Sequence, residues 1–168
     1  MMRVLGVDPA LKATGYAVIE AAEDSRAGLK LLEVGTIEPS QREETSIKIQ
    51  KIYQHLDSII LEYSPTVMVL EKVYSHYKHP ATASVIGHVR GAICLLSAQH
   101  KLRLAEYSVK RIRKVVVGNG AASKEQTRLS VAHIFKVDPL KLKLDASDAL
   151  ALALGYVYMN PARLSAAV

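Results

Sequence analysis

MRVLGVDPALKATGYAVIE, residues 2–20, holds two apolar runs separated by a short turn. The first run ends in Asp8-Pro9, a pair suited to a turn, and GYAVIE follows within a few residues. LKLLEVGTIE, residues 29–38, is a third run of the same kind, so the N-terminal part predicts three strands in a meander.

Further along, Ile49, Ile52, Leu56, Ile59, Ile60 and Tyr63 recur at three- and four-residue steps. They predict a helix from Glu43 to Tyr63, closed by Ser64-Pro65. TVMVLE, residues 66–71, is a short buried strand; residues 81–99 form a second helix and LRLAEYS, residues 102–108, a fifth strand. SKEQTRLSVAHIF, residues 123–135, opens on Ser123 with Gln126 three positions on, the pattern of a capping box at a helix start. In DASDALALALGYVYM, residues 145–159, Ala and Leu alternate as in a strand, but both are strong helix formers and the segment is long.

The order is that of an α/β protein with a mixed five-stranded sheet flanked by helices. The connection from the first strands through a helix to TVMVLE crosses over right-handed, so the strands ending at Asp8 and Glu71 run parallel and side by side. Both carboxylates then sit at one carboxyl edge, where open α/β sheets place their sites.

Length and composition set the frame. The 168 residues suit one domain over 1–160 with a short tail at 161–168, and no linker or repeat divides them. Cys94, the single cysteine, lies in the apolar run GAICLLSA and reads as a small buried hydrophobe in a reducing, cytoplasmic setting. The longest apolar run, ALALALGYVYM, is shorter than the roughly 20 residues that span a bilayer, so no membrane partner is expected.

Net charge is +6, and residues 101–143 carry +8 of it against −2 elsewhere. A basic region of this kind is the footprint of a phosphate-backbone partner; solvated Lys and Arg on helix faces are the competing reading.

Asp8, Glu71, Asp145 and Asp148 each have a plain explanation: a turn residue, a strand end, a helix N-cap and an acid near that cap. Together they suggest more, because Asp145 and Asp148 at i,i+3 share one helix face, and a helix over the sheet edge brings that face toward Asp8 and Glu71. Two like charges about 4 Å apart cost on the order of 4 kcal/mol at an effective dielectric of 20, so such a cluster calls for a cation. All-oxygen ligands suit Mg²⁺ or Mn²⁺, and a pair of such ions suits phosphodiester cleavage.

GVDPALKATGYAVIE, VLEKVY, GHVRG, VVVGNGAASKEQ and DASDALALAL, in that order and spacing, resemble the RuvC family of Holliday junction resolvases, up to about Tyr158. The resemblance implies a ribonuclease-H-like fold, a homodimer, and paired Mg²⁺-dependent nicks across four-way branched DNA, with two ions per site and Mn²⁺ able to substitute. It also implies RuvA and RuvB, the branch-migration complex, as partners. Matched block by block, the family's catalytic, metal-binding acids fall on Asp8, Glu71, Asp145 and Asp148. Its phosphate-contacting residues fall on Arg113 and Lys124, with Lys124 also catalytic, and its junction wedge falls on Tyr74. The chain has Ala10 and Ala17 where the family has glycine, and the segment between Tyr74 and Gly87 is about one residue longer.

LEKVYSHYKHP, residues 70–80, carries three readings. His76 and His79 as a zinc site would need two more ligands, and the lone cysteine lies in an apolar run. A plain exposed loop is the second. The third, a DNA reader, has Tyr74 stack on a base while His76, Tyr77, Lys78 and His79 follow the backbone or neighbouring bases. Two other classes remain beside the nuclease: an actin-like ATPase, for which 168 residues leave no room for a second lobe, and a junction- or RNA-binding protein without catalysis.

Overall fold

The computed structural model describes residues 1–22, 28–72 and 80–161. β1 (Met2–Asp8), β2 (Thr14–Ala21) and β3 (Leu29–Ile37) form the expected meander, with Val4 opposite Ile19 and Asp8 opposite Gly15. α1 (Thr45–Tyr63) starts two residues later than its apolar spacing suggests and ends on Ser64 in the left-handed region, whose N–H bonds the Ile60 carbonyl at 2.8 Å. The chain then enters β4 (Val67–Glu71), parallel to β1 with Val4 beside Val67 and Val7 beside Leu70. α2 (Pro80–Gln99) leads to β5 (Arg103–Tyr107), parallel to β4. The sheet order is β3-β2-β1-β4-β5, the mixed five-stranded sheet read from the sequence.

Three helices follow: α3 (Val109–Val117), α4 (Lys124–Phe135) and α5 (Leu144–Met159), with a single 3-10 turn (Pro139–Lys141) before the last. Alternation in β1 sorts them onto two faces. Met2 and Val4 join the core beneath α3, α4 and α5, whereas Leu5 and Val7 join the core beneath α1 and α2. Cys94 is half-buried against the second core, less enclosed than its apolar run suggests.

α3 has no counterpart in the sequence reading. Its valines, Val115 to Val117, look like a strand, but Ser108 caps the start by accepting from the Arg111 N–H, and Gly118 closes the end at φ 84°. The capping box at Ser123 and Gln126 forms as expected, with both hydrogen bonds present.

α5 lies directly on β1 and β2. A Cβ at Gly6 would come within 2.1 Å of the Ala149 carbonyl oxygen, and one at Gly15 within 2.0 Å of the Asp145 carbonyl oxygen. These two glycines, facing Ala146, Ala149 and Ala153, let the helix backbone descend onto the sheet and hold its first turns over the carboxyl edge. Leu150 and Leu154 are fully buried, each worth about 1.5–3 kcal/mol. That burial offsets the mutual repulsion of the carboxylates on the helix's first turns.

Candidate active site

Asp8 ends β1 and Glu71 ends β4, one residue past the Val7–Leu70 pair, so both stand at one sheet edge. Asp145 and Asp148 reach the same edge from α5. Neither caps that helix: the N-cap is Lys143, which makes no side-chain capping bond, and Asp145 lies inside the first turn. The plain reading of Asp145 as an N-cap therefore fails, because a capping carboxylate spends its oxygens on main-chain N–H groups and this one is left for the cleft.

Lys124, the first residue of α4, enters from the side. Its Nζ lies 2.6 Å from Asp148 Oδ2 and 3.9 Å from Asp145 Oδ1. A cleft of about 280 Å³ is lined by Asp8, Pro9, Ala10, Glu71, Lys124 and Asp145, with Ile86 and Arg90 on the α2 side. A smaller recess next to it brings Arg113 and Thr127 against Glu71 and Asp148. The Arg113 Nε is buried with no hydrogen-bond partner among the described residues.

The electrostatics follow from crowding. Burial, then Glu71, Asp148 and Asp145, push the Asp8 carboxyl from 3.8 up to about 7, with Lys124 opposing. Glu71 is raised by burial and by Asp148, and is drawn back by Lys124, by a hydrogen bond with Asp8 and by Arg113. For Lys124, burial acts against the charge but is outweighed by Asp148 and the other acids, so its pKa is raised.

Chemically this is an all-oxygen donor set whose charges are costly together, which fits a hard divalent cation. Among the described residues, no three His, Cys, Asp or Glu side chains converge as a ready-made cage. Asp8, Glu71 and Asp145 line the cleft and Asp148 the recess beside it, and the Lys124 ammonium bridges Asp145 and Asp148.

The fold thus gathers Asp8, Glu71, Arg113, Lys124, Asp145 and Asp148. Tyr74, His76, Tyr77, Lys78 and His79 lie outside the described residues. At the turn beside Asp8, Ala10 needs no glycine: its φ is not positive, and Thr14 closes the turn, its Oγ1 donating to the Ala10 carbonyl at 2.6 Å and accepting from the Ala10 N–H at 3.3 Å. Arg90 was not singled out by type or spacing. Its partners are 19 and 16 residues away, and only the folded chain reveals them.

The family model for "Crossover junction endodeoxyribonuclease RuvC" matches residues 4–156. The chain belongs to the RuvC family. The RuvC protein of Chloroherpeton thalassium is 39% identical over 153 residues, covering 91% of this chain and 80% of that one. That of Rhodopirellula baltica is 36% identical over 162 residues, covering 94% and 88%. Among solved structures, T. thermophilus RuvC in complex with Holliday junction substrate superposes with a TM-score of 0.87 over 98% of both chains, at 21% identity. This likeness supports the ribonuclease-H-like fold that membership of the RuvC family implied. All six gathered residues fall within the RuvC match. Among the described residues, no helix is long and apolar enough to cross a membrane.

Proposed function

We propose that the protein is a structure-selective endonuclease that resolves four-way DNA junctions by paired phosphodiester nicks in recombination and repair. One observation carries this reading: four carboxylates from three separate elements meet at one sheet edge with a lysine and an arginine among them, in a chain of the RuvC family. The relatives' names, crossover junction endodeoxyribonuclease, and the junction bound to the T. thermophilus protein support it.

In this reading Asp8, Glu71, Asp145 and Asp148 hold Mg²⁺, two ions per site, with Mn²⁺ able to replace it. When bound, the ions supply positive charge for water activation and for the leaving oxygen in an in-line displacement. The chain's own residues do the rest. Asp8, hydrogen-bonded to Glu71, carries the proton that burial and the neighbouring carboxylates hold up to about pH 7, and would give it up where cations bind. Lys124, paired with Asp148 and Asp145, becomes available to a phosphate oxygen where negative charge builds up. Arg113 steadies the phosphate from the recess beside Glu71. Tyr74 opens the junction by stacking on a base, with the segment to His79 following the strand.

A homodimer belongs to the same proposal, since a four-way junction has near-twofold symmetry and two symmetric cuts call for two sites. RuvA and RuvB are its proposed branch-migration partners and the cytoplasm its proposed location.

The test is nicking of a synthetic four-way junction with linear duplex as control. We expect paired nicks in Mg²⁺, none by Asp148→Asn, and a single-turnover rate about 10²-fold lower for Lys124→Ala with binding changed only a few-fold. Lys136→Ala, on an exposed turn, serves as the comparison and keeps its rate. Nicking by Asp148→Asn near the wild-type rate, or no junction cleavage by the wild type in either metal, overturns the reading.

A further inference from the structure

α2 points one charged side chain at the carboxyl edge of the sheet. The Arg90 side chain is only 15% exposed, and its guanidinium is shared between two anchors: Nη1 donates to the main-chain carbonyl of Glu71, and Nη2 donates to the Glu106 carboxylate on β5. It also forms part of the wall of the cleft that holds Asp8, Lys124 and Asp145.

The division of labour around Glu71 is informative. Lys124 and Arg113 are the cations that ease the charge on the Glu71 carboxylate. Arg90 instead grips the main chain of the same residue, with its own charge matched by Glu106. Glu71 is the last residue of its strand and the chain leaves β4 after it; the Lys72 N–H holds the main chain beyond it by bonding the Tyr107 carbonyl at 2.8 Å, and Arg90 adds a side-chain hold on the Glu71 carbonyl itself. A terminal strand residue facing other carboxylates is pushed outward by repulsion, and a planar fork with two fixed acceptors holds position better than a single flexible ammonium.

We propose that Arg90 is a positioning residue for Glu71, locking the end of β4 through the Glu71 carbonyl while Glu106 fixes the guanidinium. The inference rests on the nuclease reading for its activity arm alone. A group that orients a metal ligand typically costs about 10- to 100-fold in metal affinity or activity when removed, and a misplacement of about 1 Å in a reacting constellation costs about 10²-fold.

The experiment compares wild type with Arg90→Met, Arg90→Lys and Glu106→Gln. It measures Mn²⁺ binding without DNA by electron paramagnetic resonance, junction affinity in Ca²⁺, and single-turnover cleavage against Mn²⁺ concentration. Arg90→Met is expected to weaken Mn²⁺ binding by about tenfold or more and to slow cleavage by about 30- to 100-fold, with junction affinity within about threefold. Arg90→Lys, keeping a donor but not the fork, recovers part of both losses. Glu106→Gln, a milder change at a partly exposed site, shifts both in the same direction by less and keeps the proposal testable where Arg90→Met does not fold. Wild-type Mn²⁺ binding in Arg90→Met or in Glu106→Gln overturns the proposal. So does a loss of junction affinity that matches the loss of rate, which would make Arg90 a DNA contact. If wild type binds Mn²⁺ but cuts no junction, the nuclease reading falls while the binding comparison still judges Arg90.

Discussion

Burial and the carboxylates of Glu71, Asp148 and Asp145 push the Asp8 carboxyl from 3.8 to about 7, and this has a consequence for stability. Between those two pH values the folded chain keeps a proton that the unfolded chain has released. Stability therefore falls as pH rises through this window, and the loss is complete above about pH 7. For cation-free protein the cost at pH 8 is on the order of 2–4 kcal/mol. Asp8→Asn should accordingly raise the melting temperature in EDTA by several degrees at pH 8, with a gain that shrinks toward pH 5. Saturating Mg²⁺ should stabilise the wild type much more than the variant. A variant no more stable than wild type at pH 8 in EDTA would show that Asp8 does not carry this charge. At this scale the four acids are legible from the sequence because each has a chemical type and a place, at a strand end or on one helix face. Arg90 lies in the GHVRG block, but its role is not legible, since its partners Glu71 and Glu106 are brought to it only by the fold.

A helix can carry two acids to a sheet edge only if its backbone comes low enough, and here that depends on Gly6 and Gly15. The contact at Gly15 is with the main chain of Asp145 itself, so no flexible side chain can move aside. Gly15→Ala should therefore lift the first turn of α5, at a cost of about 1–3 kcal/mol or more. It should also slow junction cleavage by about 10²-fold through displacement of Asp145 and Asp148, even at temperatures where the variant is fully folded. Unchanged melting temperature and rate would mean that α5 can shift without consequence for the site. The strands and four of the five α-helices are readable from the sequence, most from apolar period and caps and α5 from helix propensity and length. α3 escapes because its signals conflict: three successive valines resemble a strand, while the features that make it a helix are a single serine cap, one buried face around Ile112, and a glycine that must turn left-handed. The start of α5 is misread for a related reason, as an aspartate near a helix start resembles a cap until the main-chain bonds are seen.

Across the whole molecule, charge is divided between a cleft that repels DNA and a surround that attracts it. The acids at the sheet edge oppose a phosphate backbone until cations load, whereas residues 101–143 carry +8. Much of that positive charge is carried by two helices bordering the site. α4 contributes Lys124, and α3 turns Ile112 inward against α5 while exposing Lys110 and Lys114 one turn apart on its outer side. The count is visible in the sequence; its placement is not, because it depends on a helix that the sequence conceals. If Lys110 and Lys114 each meet a phosphate, binding releases one condensed counterion per contact, and the slope of log affinity against log salt concentration should flatten by nearly 2 when both are replaced by alanine. Cleavage at saturating protein should change little, since neither lysine lines the cleft. The measurement is junction affinity by fluorescence anisotropy in Ca²⁺ over a range of KCl concentrations, for wild type, Lys110→Ala/Lys114→Ala, and a control that removes Lys136 with Lys101, both exposed on turns outside α3. A slope equal to wild type in the α3 variant, or the same flattening in the control, would mean that net charge alone governs binding and that α3 forms no part of the DNA surface.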